Sequence, residues 1–522
     1  MADLSSEARA ALRGLPRVDD LLAAEGVVDA LGDAPRSLAT GALRATLDAE
    51  RARILGGETP RSREELVDAC AAAVGRAVLP HLRCAVNATG VVVHTNLGRA
   101  PVSPHVAAHI ADVASHYDTL EFDVSTCKRG SRHDHVRELL CELTGAQDAA
   151  VVNNNAAAVM LVLSELARGR EVIVSRGELI EIGGSYRIPD IMALSGAKMV
   201  EVGTTNKTHL SDFERAITPE TALVLKVHPS NYRVVGFHEE ADVVSLAHLA
   251  HDHGIRVYED QGSGVLVNLE QAGIPSDEYT PGWSLAQGVD VVTCSGDKLL
   301  GASQAGIILG SAELVGRIKK HPMMRALRPD KLTLAGLEAT LRDYLDDGAA
   351  WDRIPVLSML RARPEQLRVR AYDLLARLAA LLGVPVEGTG GAEATAACGV
   401  AARAGEGDSC EGADGAQGPS LRMGPVVVRA AADVSFVGGG ALPTTELPSW
   451  TLRLSAPGAD LEALRARLIQ QPARPVVTRV SHDELVCDVR TLVDARDEDD
   501  LLAALAGEVR FLATKEGEDS HE

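Results

Sequence analysis

From residue 149 to residue 310 short β-branched runs alternate with stretches whose apolar positions recur at helical spacing. AAVV (149–152), EVIVS (171–175), KMVEVG (198–203), ALVLKV (222–227), IRVYED (255–260), VDVVTCS (289–295) and AGIILG (305–310) predict strands. Asp242–His253 predicts one of the amphipathic helices between them. This alternation predicts an α/β fold with a mostly parallel sheet covered by helices on both faces. In such sheets ligands bind at the C-terminal strand ends, so polar residues directly after strands are where chemistry is sought. Residues 1–80 differ: their apolar positions (Leu43–Leu47, Leu66–Val74) keep helical spacing, and Ser62 with Glu65 forms a capping box after the break at Gly56–Pro60. They predict a small helical domain, and 81–345 a catalytic core. In 346–522 a helix at Leu367–Leu382, the runs VVVRA, WTLRLS and VVTRVSHDELVCDVRTL, and a helix at Asp497–Ala506 predict a smaller α/β domain. Residues 388–419, rich in Gly and Ala without a period, predict a flexible surface insertion, and KEGEDSHE a frayed tail.

Composition narrows the picture. With 522 residues, 46% hydrophobic and 24% charged, the chain can bury a large core, which excludes disorder for its bulk. Aromatics are only 3%, so Ala, Leu and Val fill that core and a base-stacking surface is not expected. A net charge of −21 argues against non-specific coating of nucleic acid, and DNA is not an expected partner. Eight cysteines without a CxxC pair predict reduced thiols in the cytoplasm and neither a disulfide framework nor a metal site. The N-terminal MADLSSEARAALRGLPRVDD lacks the apolar core of a signal peptide, and no run of about 18 apolar residues predicts a membrane span.

Three features carry candidate chemistry. The first is Ser295-Gly296-Asp297-Lys298, directly after a strand. Lysine is seldom buried without a role, and a desolvated lysine loses its proton and can form a Schiff base; alone, the tetrapeptide reads rather as a surface turn. The second is Asp260, at the end of IRVYED and one strand–helix–strand unit before Lys298. In pyridoxal 5′-phosphate (PLP) enzymes an aspartate holds the ring nitrogen protonated while a lysine holds the aldehyde; alone, Asp260 is equally a turn cap. The third is the strand AAVV running through Asn153-Asn154-Asn155 into Ala156 and Ala157, small residues that leave helix N-terminal N–H groups open to a phosphate; alone, it reads as an asparagine N-cap without ligand. Together they fit one cofactor, PLP, with phosphate at 153–157, ring nitrogen at Asp260 and aldehyde at Lys298. Cys294 reads as core packing. GSGVLV (262–267) lacks the last glycine of a dinucleotide fingerprint, and no GxxxxGK[ST] loop is present.

NATGVVVHTNLGRAPVS (87–103), RGSR (129–132), IEIGGSYRIPDIM (180–192), GTTNKTH (203–209), HPSNYRVVGF (228–237), EDQGSG (259–264), SGDKLLG (295–301) and RALRPDK (325–331) resemble, in order, the bacterial selenocysteine synthases, the L-seryl-tRNA(Sec) selenium transferases. The resemblance spans about residues 85–335 and implies fold-type I, the aspartate-aminotransferase-like PLP architecture, in a homodecamer built as a pentamer of dimers. It implies conversion of seryl-tRNA(Sec) to selenocysteyl-tRNA(Sec) with selenophosphate through a dehydroalanyl intermediate. Carried over, Lys298 resembles the Schiff-base lysine, Asp297 a catalytic acidic residue, and Arg99, Arg132, Arg325 and Arg328 the arginines that bind the selenium donor, with Arg132 also catalytic. Arginine forks suit such an anion. Arg317, Lys319, Lys320, Arg325, Arg328 and Lys331 form the clearest basic cluster, which would focus anions or be a solvated charge run. His228, after ALVLKV, is a cofactor contact or a turn histidine; Tyr186 and Arg187 are near-site candidates.

The family reads tRNA shape with its N-terminal domain, which suits residues 1–80, where no aromatic occurs. Those residues hold 10 Arg against 13 acids, and a basic face there would need clustering of Arg9, Arg13, Arg51 and Arg53. The alternatives are a fold-type I PLP lyase for a small free amino acid or amino-sugar phosphate, and a non-catalytic tRNA-binding scaffold. An 80-residue helical appendage argues against the first, and intact Lys298, Asp260 and arginines against the second.

Overall fold

All seven runs predicted as strands pair in one sheet. In the computed structural model, which describes residues 6–182, 186–229, 231–276, 278–388, 418–471 and 474–519, they are β1 (Asp148–Val152), β2 (Glu171–Ser175), β3 (Lys198–Val202), β4 (Thr221–Val227), β5 (Arg256–Gly262), β6 (Val291–Ser295) and β7 (Gly306–Gly310). The order is β1-β7-β6-β5-β4-β2-β3, with β7 antiparallel to both neighbours and the other pairs parallel. Side chains alternate between the two faces, as the pleat requires. Leu223, Leu225, Tyr258 and Val291 join the core on one face, which includes the helix Asn155–Leu166. Val224, Val257 and Val292 join the core on the other, which includes Val243–Asp252. Both faces are dry over the central strands, which read as nearly continuous apolar runs.

The chain divides into two compact units, Met1–Val86 with Ala466–Val477, and Asn87–Arg465 with Thr478–Glu522. The first is helical. Arg36–Leu55 and Arg63–Val78 bury Leu43, Leu47, Leu66 and Val74 together. The Ser62–Glu65 box forms as expected: each side chain bonds the other's backbone N–H, at 3.2 and 2.7 Å.

The second unit carries, beyond the seven strands, a six-stranded antiparallel sheet: β8 (Val386–Glu387), β9 (Ser420–Met423), β10 (Val426–Phe436), β11 (Glu446–Ser455), β12 (Arg479–Ser481) and β13 (Glu484–Asp488), ordered β8-β9-β10-β11-β13-β12. The single run VVTRVSHDELVCDVRTL is broken into a hairpin, because His482 and Asp483 take positive φ (53° and 58°). The last helix runs from Ala495 to Asp519, into residues expected to fray. The insertion expected at 388–419 lies, apart from its flanks, outside the described residues. No helix among the described residues is long and apolar enough to cross a membrane.

Candidate active site

Parallel register sets Asp260 between Val227 on β4 and Thr293 on β6. Being two residues from Tyr258, it faces the same side as the helix Asn155–Leu166. There Asn155 Nδ2 donates to Asp260 Oδ1 at 2.8 Å, and Thr293 Oγ1 lies 3.5 Å from the same oxygen. Asp260 is 6% exposed. Burial pushes its carboxyl above the ordinary range, while Asn155, Lys298, Thr293 and His228 pull it back. A dry carboxylate with only these partners calls for a cation opposite. The Tyr186 hydroxyl, buried and without a hydrogen-bond partner, is pushed up by burial and by the charge of Asp260, so it belongs to this cleft; Arg187 is exposed and pairs with Glu181 at 2.6 Å.

Lys298 follows β6 in the turn before β7 and is 5% exposed. Its Nζ makes no hydrogen bond or ion pair among the described residues. Burial and the Arg99 guanidinium hold its pKa below the usual lysine value, against the pull of Asp260, Asp297 and Glu278. The Gly438–Gly440 turn covers it. A Cβ added at Gly440, where φ is +94°, would stand 2.9 Å from both Nζ and Cε of Lys298. Arg99 pairs with Asp297 at 3.0 Å, and Ala100 N–H donates to the Asp297 carbonyl at 3.3 Å. Arg99 itself holds φ +63°, an unusual conformation for a long side chain and typical of functional turns.

Asn154 caps the helix Asn155–Leu166, its side chain accepting Ala157 N–H at 2.9 Å. The N–H groups of Asn155 and Ala156 remain for an anion, and Asn155 spends its side chain on Asp260, where its Oδ1 is buried without a partner. Gly306 of β7 lets this turn approach: a Cβ there would lie 2.1 Å from the Asn154 carbonyl oxygen. His228 follows β4, with its N–H donating to the Asp260 carbonyl at 3.0 Å. The structure therefore gathers Lys298, Asp297, Arg99, Asp260, Asn154, Asn155, Ala156, Ala157 and His228 at adjoining strand ends. Cys294 is fully buried, its thiol pushed up to about 12, and packs in the core.

Three arginines make no hydrogen bond or ion pair with that group among the described residues, although the carbonyl of Leu327, next to Arg328, accepts the Asn153 N–H at 2.9 Å. Arg132 binds Glu121 and donates to the Pro329 carbonyl at 2.6 Å. Arg328 approaches the same carboxylate at 3.7 Å and Arg129 at 2.6 Å. Arg325 is exposed on Met323–Leu327. The basic cluster expected at 317–331 is largely divided among acids: Arg317 to Glu165, Lys319 to Asp148, Lys331 to Asp118. Neighbours in sequence point to different partners once coiled into helices and turns, so they do not act as one basic patch. In the helical unit Arg51 and Arg53 are likewise taken up by Asp48, Glu50 and Glu58.

A family model described as L-seryl-tRNA selenium transferase matches residues 85–400 and 420–493. The chain belongs to the L-seryl-tRNA selenium transferase family. A second model, selenocysteine synthase N terminal, matches residues 12–51. Among its relatives, the L-seryl-tRNA(Sec) selenium transferase of Solidesulfovibrio magneticus is 46% identical over 94% of this chain and 97% of its own. That of Geobacter sulfurreducens is 45% identical over 92% and 96%. Among solved structures, D-glucosaminate-6-phosphate ammonia-lyase aligns with a TM-score of 0.51 at 18% identity, covering 83% of this chain and 97% of that one. The fold is the fold-type I, aspartate-aminotransferase-like fold. For this transferase family member the sequence left three residues unnoticed. Lys226, inside the apolar run ALVLKV, is buried with Glu178 at 2.8 Å and Glu240 at 2.9 Å; a charge within such a run was the signal. Thr293 and Glu278 lie in no motif, and only the fold brings them to Asp260 and Lys298.

Proposed function

We propose that this chain converts seryl-tRNA(Sec) to selenocysteyl-tRNA(Sec), with pyridoxal 5′-phosphate held by Lys298, Asp260, His228 and the Asn154–Ala157 turn. The observation that carries it is the buried pair of Lys298, without a partner, and Asp260, without a cation, at neighbouring strand ends. That pair fits the cofactor's two ends: an amine ready for an aldehyde and an acid ready for a pyridinium nitrogen. When bound, PLP supplies an electron-withdrawing ring that makes loss of the serine Cα proton and of the β-hydroxyl feasible.

The chain's own groups do the rest. Lys298 Nζ, kept below the usual lysine range by burial and Arg99, is the base for the Cα proton. Asp260, oriented by Asn155 and Thr293, keeps a proton on the ring nitrogen. Asp297, fixed by Arg99, orients the cofactor or assists a proton transfer. Arg99 offers a guanidinium beside Lys298 for selenophosphate; Arg132, Arg325 and Arg328 are the further donors in this reading, from the same subunit or a neighbouring one in a homodecamer. The helical unit is the proposed contact for tRNA, with exposed Arg13, Arg44, Arg63 and Arg76 as its open cations.

The test is direct. Purified protein is given PLP, selenophosphate and seryl-tRNA(Sec) or free serine, and selenocysteyl-tRNA(Sec) is measured. Product from the tRNA-linked serine alone, lost in Lys298→Ala, is expected. Turnover of free serine with none of the seryl-tRNA would move the assignment to a small-substrate lyase. Failure to bind PLP would leave a tRNA-binding scaffold.

A further inference from the structure

Glu278, between β5 and β6, brings to the strand ends a carboxylate that no motif announces. The Glu278 side chain is 1% exposed. Its backbone N–H donates to Ser276 Oγ at 2.9 Å. The next residue is tied down twice: the Tyr279 carbonyl accepts Gln261 Nε2, and its ring stacks on Trp283 with centroids 3.9 Å apart. Glu278 Oε2 accepts Ser263 Oγ at 2.5 Å. Its other oxygen, Oε1, is buried without a hydrogen-bond partner. His228 Nδ1 is in the same condition, and the two face each other across 3.6 Å. An unsatisfied buried carboxylate oxygen and an unsatisfied buried ring nitrogen are each costly to leave unpaired. One proton between them satisfies both.

We propose that Glu278 is a positioning residue for His228. Its Oε1 takes the Nδ1–H of the imidazole. That fixes the tautomer and leaves Nε2 as the ring's acceptor. The logic is that of carboxylate–histidine pairs in which a carboxylate on one ring nitrogen sets what the other can do. The surroundings leave Glu278 free for this. Asp260 is engaged by Asn155 and Thr293, Lys226 by Glu178 and Glu240, and Arg99 by Asp297. Glu259, on the opposite face of β5, also feels the charge of His228 but makes no ion pair with it among the described residues. Ser263 orients the carboxylate without supplying charge. The charge of Glu278 also favours the protonated form of Lys298, consistent with a place beside the cleft.

The test is a double-mutant cycle on full-length protein, reading the dissociation constant of PLP as well as kcat/KM. Glu278→Gln keeps the shape and removes the charge, and is expected to weaken PLP binding about tenfold. In a His228→Asn background the same change is expected to cost nothing more, because its route of action is gone. Glu278→Asp, which keeps the charge one methylene short, is expected to recover part of the loss. Equal losses in both backgrounds, or no loss in Glu278→Gln, would overturn the assignment. Should Glu278→Gln fail to fold, Ser263→Ala perturbs the same carboxylate from its other oxygen, and an equal loss with and without His228 overturns it again. Since the assignment rests on the cleft being the cofactor site, wild type is measured first. No PLP binding there defeats that reading as a whole, whereas PLP binding unchanged by Glu278→Gln defeats only the role of Glu278.

Discussion

Lys298 owes its chemistry to two opposed fields. Burial and Arg99 favour the neutral amine, while Asp260, Asp297 and Glu278 favour the ammonium, and the first pair prevails. The neutral amine is the form that captures an aldehyde. Its fraction grows as pH rises through the lysine's lowered pKa, so capture by this chain is expected at lower pH than for free lysine. Removing a cation raises that pKa and removing an anion lowers it. Arg99→Gln is therefore expected to move the pH profile of PLP capture upward, and Asp297→Asn to move it downward, followed by absorbance in protein stripped of cofactor. Opposite shifts would show that Arg99 and Asp297 do not act on Lys298 electrostatically. Asp260→Asn keeps the contact with Asn155 but removes the charge; turnover of seryl-tRNA(Sec) is expected to fall on the order of 100-fold or more while the chain stays folded.

At the scale of elements, the seven strands were legible because each is a short β-branched run between turn residues, buried on both faces except at the edge strand β3, where Lys198 and Glu201 are exposed. The candidate residues were legible for a related reason: in a parallel sheet, a polar residue after such a run stands at the ligand-binding edge. Lys298, Asp260 and His228 are all of this kind. The contacts that orient them were not legible. Asn155 reads as one of three asparagines in a turn, and only the register of β5 against the helix shows that it serves Asp260. Gly306 reads as an ordinary strand glycine, yet a methyl group there would enter the backbone of Asn154. Gly306→Ala is expected to cost about 2–3 kcal/mol and to weaken PLP binding, since the turn must shift; thermal melting and a binding titration check it. In the helical unit Ser62→Ala is expected to cost about 1 kcal/mol, read as faster amide exchange in Arg63–Val78.

At the scale of the whole molecule, charge is the main constraint. A chain with a net charge of −21 meets a polyanion only through local cations. Many of those that the sequence offers are already bound to acids, among them Arg51, Arg53, Arg317, Lys319 and Lys331. The remaining phosphate contacts are screened by salt. Raising salt from about 50 to about 200 mM is expected to lower kcat/KM for seryl-tRNA(Sec) by tenfold or more, and to leave PLP binding nearly unchanged. A salt-independent kcat/KM would show that shape and apolar contacts carry the RNA.

The sequence by itself determined the layered α/β core, the helical N-terminal segment, the family, and the residues that stand at strand ends, because these follow from periodicity and from motifs along one stretch of chain. Tertiary structure alone decided which charges are free and which are spent, and which partners hold the cleft in shape. Arg132 and Arg328 share Glu121, Lys226 lies between Glu178 and Glu240, and Glu278 meets His228, 50 positions before it in the chain. Such pairs depend on strand order and register, which bring distant residues within hydrogen-bonding range and leave no periodic trace in the chain.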